Sequence, residues 1–205
     1  ARELAKTNGI WDSLQDLDAS ADIPVVKRSA YRHYKRVGDR GVPQAASGRR
    51  SRELGRAAMA VWLDHPKGDV DYLQDLLWAA CDDWTWVMAA HEGLAIDLGA
   101  AGRAVTYAEL LYALDDRLED EVKDRVRAEI DRRIFRNFWD YEQPDWWKTC
   151  EHNWNHVCNG CIIRAALLLI DNPSVLAHMV HGAIINMTYA IDGFADDGGC
   201  VEGPD

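Results

Sequence analysis

"CEHNWNHVCNGC", Cys150 to Cys161, places two histidines, three asparagines, a tryptophan and three cysteines within twelve residues. An apolar run, "VCNGCIIRAALLLI", begins inside it and stops before Asn172-Pro173, because the residue ahead of a proline is pushed out of the helical region. The stretch therefore reads as the entrance to a long helix, with its polar side chains crowded at one loop-to-helix junction. A metal site, a redox pair, a nucleophile and the lip of a substrate cleft are the four chemistries to weigh.

Working outward, Ser174 is placed to cap a helix from Val175 to about Ile191, with Leu176, Met179, Val180, Ala183, Ile184 and Met187 inward. Upstream, Val122, Val126, Ile130 and Ile134 step by four through a helix over 119–138 with charges on its other face. "WDYEQPDWWK" follows as an aromatic loop. Nearer the start, Ser51 is expected to cap a helix to about Asp64 with Leu54, Ala57, Ala58, Val61 and Trp62 at helical spacing. "VPQAASG" before it reads as a loop. Val70, Leu73, Leu76, Leu77, Ala80 and Cys81 mark another helix, and helical spacing returns from about Leu94 to Leu118. No strand alternation of useful length occurs. The expectation is an all-α chain of six or seven helices, stacked as helical hairpins, in one domain. "DGFADDGGCVEGPD" is loop chemistry.

Net charge is −11, which argues against non-specific binding to nucleic acid or to an anionic membrane, and no run of 18 apolar residues predicts a transmembrane helix. The charge is uneven. Residues 27–56 hold ten Lys/Arg against Asp39 and Glu53, so that segment is +8 and the remainder −19. Such a run is either a solvated helix face or a surface that meets a polyanion. Five cysteines at irregular spacing do not form a disulfide framework.

Cys158-x-x-Cys161 with His152 and His156 offers zinc ligands, but no second CxxC exists and all candidates sit at one junction, so no metal is expected. A thioredoxin-like pair needs a βαβ setting that is absent. A Cys158 nucleophile has no supporting local signature. Deaminase chemistry fails because no H-x-E precedes a P-C-x-x-C. A carbohydrate cleft remains: indole faces stack on sugar rings, and amide and imidazole groups bind hydroxyls and carboxylates. Trp84, Trp86, Trp146, Trp147 and Trp154 all fall between helices, near His91, His152, Asn153 and Asn155.

Three blocks carry a resemblance: "YRHYKRVGDRG", "CDDWTWVMAAHEGLAIDLGAAGRA", and "HNWNHVCNGCIIRAALLLIDNP" followed by "IDGFADDGGCVEGPD". Together they span roughly residues 31 to 205, and the last is the most specific. The sequence resembles the N-terminal helical toroid of the heparinase II/III-like polysaccharide lyases. It departs from them at Cys161, where a small residue such as Gly is expected.

The resemblance implies an incomplete (α/α) toroid over residues 1–205 and β-elimination on a uronic-acid glycan, such as heparan sulfate, another glycosaminoglycan or an alginate-like polymer. No cofactor is implied. His152 is expected to transfer a proton or hold the uronate carboxylate. Asn155 is expected to neutralise that carboxylate, with Asn153 in its place if the loop turns the other way, and Glu202 is expected at the cleft. Trp84, Trp86, His91, Trp147, Asn153 and Trp154 are the expected substrate contacts. In the family "EGP" runs into "YW", whose tyrosine is the general base and acid. That tyrosine is thus expected just past Asp205, and the chain is expected to be a fragment that needs the rest of its polypeptide, including a C-terminal β domain, for turnover. By analogy such proteins are periplasmic or secreted, although the chain shows no signal peptide. Two rivals stand beside this reading: a non-catalytic glycan-binding module, and a glycoside hydrolase on a similar toroid. The hydrolase requires an opposed carboxylate pair that the loops around His152 do not offer.

Overall fold

A computed structural model describes residues 1–139 and 145–199, apart from the side chain of Ala46. The helices in chain order are α1 (Arg2–Thr7), α2 (Arg28–Val37), α3 (Gly41–Trp62), α4 (Val70–Cys81), α5 (Leu98–Ala113), α6 (Asp120–Ile130), α7 (Arg136–Phe138), α8 (Asn153–Leu169) and α9 (Pro173–Ile191). Among the described residues there is no strand, only an isolated bridge between Glu92 and Leu94. The all-α expectation is met.

The chain divides into two compact units, Ala1–Trp84 with Leu110–Val126, and Thr85–Glu109 with Arg127–Asp205. In the first, α3 packs on both α2 and α4. Leu54, Ala57, Ala58 and Val61 of α3 and Leu73, Leu76, Leu77 and Ala80 of α4 are buried, as their spacing predicts, whereas Trp62 is half exposed. The helix begins at Gly41, so "VPQAASG" is helical and Ser51 is internal to it. Pro43 is tolerated there because the N–H groups of a first turn have no partner within the helix. Asp69 caps α4 by accepting from the Tyr72 N–H at 2.9 Å.

In the second unit, α8 and α9 form a hairpin around Cys158, Ile162, Ala165, Ala166, Met179, Ala183 and Ala190, all buried. The cap of α9 is Asn172 rather than Ser174: its side chain accepts from the Ser174 and Val175 N–H groups, with Pro173 in the first turn. Ile184 is exposed, not inward, along with Val175, Ile185, Tyr189 and Ile191. By length and composition alone α9 is long and apolar enough to span a bilayer. Residues 119–138 are helical as expected, but a π-turn over Asp131–Phe135 separates α6 from α7. The Asn137 amide donates to the Arg132 and Arg133 carbonyls there. Ile130, Ile134, Phe135 and Phe138 still reach the core.

Candidate functional site

The polar stretch that opens α8 splits into an inward and an outward half. Asn155 is completely buried. Its amide donates to the carbonyls of Lys148 (3.0 Å), Cys150 (3.2 Å) and Asn186 (2.7 Å), tying the preceding loop and α9 to the first turn of α8. Asn159, also buried, donates to Asn155 Oδ1 at 3.0 Å and accepts from Asn186 Nδ2 at 3.0 Å. This three-asparagine ladder leaves Asn155 no face toward a ligand, so its role is to fix the junction, not to neutralise a carboxylate. Burial also pushes the Cys158 thiol well above the usual cysteine range, so it is not a ready thiolate.

His152, half-buried with its Nδ1 enclosed, is the N-cap residue of α8, with extended backbone and no capping hydrogen bond from its side chain. The positive end of the α8 dipole therefore lies at His152 and Asn153, where an anion is favoured. A short 3-10 turn, Trp146–Thr149, precedes it. Trp146 is 46% exposed; its ring centroid lies 5.6 Å from that of His152 and 4.9 Å from that of Trp154. Trp154 in turn meets His91 edge to face at 4.7 Å. His152, Trp146, Trp154 and His91 thus form one continuous row of rings.

The far end of the row is anchored. Asp97, fully buried just before α5, accepts from the N–H groups of Met88 (2.9 Å) and Ala100 (2.8 Å) and pairs with His91 Nδ1 at 2.8 Å. A carboxylate only accepts in that position, so His91 Nδ1 is the donor of the pair and Nε2 is the ring nitrogen left for other partners. Asp97 escaped the sequence reading. Its signal was available, an Asp immediately ahead of an apolar helix, which is N-cap chemistry.

The remaining expected contacts divide. Trp147 is completely buried, and its Nε1 donates to the Ile96 carbonyl at 3.2 Å. Trp86 is also buried, edge to face with Tyr107 at 5.3 Å and under the Arg133 guanidinium at 4.9 Å. Neither indole offers a face to a sugar: both are core. Asn153 is exposed on the first turn of α8. Trp84 is exposed but belongs to the other unit, beside Tyr31 and Arg28. Glu202 lies outside the described residues. Close behind the row, Gly193 lies against the backbone of Glu151, and a Cβ on it would collide with the Glu151 carbonyl. The segment after α9 is thereby seated on the residue next to His152.

No family model and no curated protein matches this sequence.

Proposed function

We propose that the chain is part of the (α/α) toroid of a polysaccharide lyase that cleaves a uronic-acid glycan by β-elimination. One observation carries this reading: the row His152–Trp146–Trp154–His91, half open to solvent and closed at one end by a buried carboxylate. Indole faces suit the apolar faces of sugar rings, and a histidine at each end suits the hydroxyl and carboxylate groups around them.

The chemistry sets the roles. The C5 proton of a uronate is weakly acidic, because its loss builds negative charge beside an existing carboxylate. That charge must be met by donors already in position. On this reading His152 and Asn153, at the positive end of α8, hold the carboxylate, and His152 has the second option of moving the proton. His91, held by Asp97 through Nδ1, hydrogen-bonds a sugar hydroxyl through Nε2. Asn155 acts at one remove, by fixing the loop that carries Trp146 and His152. The general base tyrosine and the rest of the ring come from other parts of the same polypeptide on this reading, and the protein works in the periplasm or outside the cell.

The test uses the protein at its full natural length. Incubation with polyuronides and glycosaminoglycans is expected to yield an unsaturated uronyl product, seen as new ultraviolet absorbance. His152→Ala is expected to cut that rate by orders of magnitude with the helical circular dichroism unchanged. Unaltered turnover in the variant removes His152 from the mechanism. Binding without any unsaturated product replaces the lyase with a glycan-binding module, a reading favoured by the burial of Asn155. Cleavage to saturated ends points to a hydrolase.

A further inference from the structure

The basic segment noted in the sequence is not one surface. In α3 two of the four arginines are tied to the protein: Arg50 is buried, donates to the Pro24 and Ala79 carbonyls at 2.7 Å, and pairs with Asp83 at 3.0 Å. Arg56 pairs with Asp16 and bonds the Ser13 carbonyl. On α2 the opposite holds. Arg32, Lys35 and Arg36 are exposed, and among the described residues none of their side chains has an acidic partner. With Arg28 they occupy positions i, i+4, i+7 and i+8, one stripe about 12 Å long at 1.5 Å per residue.

A further feature points to a ligand. The Arg28 guanidinium lies 4.5 Å from the ring of Trp84, which is 53% exposed and braced edge-on by buried Tyr31 at 4.9 Å. An exposed, braced indole beside a row of cations is the combination that acidic sugars need, an apolar face for the ring and positive charge for its substituents.

We infer that the outward stripe of α2, Arg28, Arg32, Lys35 and Arg36, together with Trp84, is a binding site for a linear acidic glycan. The choice of a glycan over another polyanion rests on the lyase reading; the affinity of the stripe for a multivalent anion does not.

The experiment measures equilibrium binding of heparin, polygalacturonate and a single-stranded oligodeoxynucleotide, by tryptophan fluorescence over a series of salt concentrations. Wild-type protein is compared with the triple variant Arg32→Ala/Lys35→Ala/Arg36→Ala and with Trp84→Ala. These are surface positions, and circular dichroism checks the fold. A heparin or polygalacturonate affinity that falls more than tenfold in the triple variant, with a shallower salt dependence, supports the site. Selective loss of glycan affinity in Trp84→Ala supports the stacking role. Equal binding by wild type and triple variant overturns the site. Tighter binding of the oligonucleotide than of either glycan overturns the choice of ligand. Glycan held through α2 but never converted to an unsaturated product leaves this site standing and removes the lyase reading alone.

Discussion

Trp146 and Trp147 are neighbours in the chain and opposites in the structure. One is 46% exposed in a row of tilted and edge-on rings; the other is completely enclosed and hydrogen-bonded to the Ile96 carbonyl. The same division separates Arg32 and Arg36, outward on α2, from the buried and paired Arg50 in α3. Residue type is shared within each pair. What differs is whether the polar end of the side chain finds a partner inside the protein. A buried indole N–H or guanidinium must be satisfied there, so the residue that has such a partner is structural and the one without it is left for solvent or ligand.

The sharpest way to break this comparison is to truncate both indoles. Trp147→Ala is expected to cost about 3–5 kcal/mol in urea denaturation, as a large side chain removed from a packed core, whereas Trp146→Ala should stay within about 0.5 kcal/mol. Equal losses would mean that the exposed row is part of the core. Next, Asn155→Ala leaves the Lys148, Cys150 and Asn186 carbonyls without that donor and should lower stability by roughly 1–3 kcal/mol. Thermal unfolding monitors it, and a neutral result would show the ladder to be dispensable.

On the outward side, Trp154→Ala should weaken glycan binding on the order of tenfold, about 1.4 kcal/mol, with little change in melting temperature. Titration calorimetry with an acidic oligosaccharide checks it; an unchanged affinity detaches the row from ligand binding. The smallest effect is electrostatic. Hydrogen bonds from Arg117 and then Arg2 hold the Asp64 carboxyl below its ordinary 3.8. A depressed folded value stabilises above the unfolded one and fades as pH falls through the folded one. The melting-temperature gap between wild type and Arg117→Ala should therefore be steady at neutral pH and shrink only in acid below the usual aspartate range. Both partners are exposed, so the gap is small throughout.

The helical class and much of the core were legible because periodicity reports burial directly: the buried sets of α3 and α4, and Val122 through Ile134, are where their spacing puts them. Helix starts were less so. "VPQAASG" carries loop residues yet extends α3, and Asn172 outcompetes Ser174 for the cap, since only the folded backbone decides which side chain reaches the free N–H groups. The site was legible as a neighbourhood and not as a set of roles. His152 and Trp154 emerge in the outward row, while Asn155 turns inward because α9 brings the Asn186 carbonyl to it from 31 positions away. No local pattern encodes that contact. Asp97 was legible as a cap for α5, but its pairing was not: His91 stands across a loop whose path the sequence leaves open.

Gly193 gives the junction a mechanical property. Since the peptide at Gly193 rests on that of Glu151 with no room for even a methyl group, any side chain at 193 must push the two segments apart beside His152. A bulkier residue at 193 would uncouple the two while leaving the α8–α9 hairpin paired through its amides.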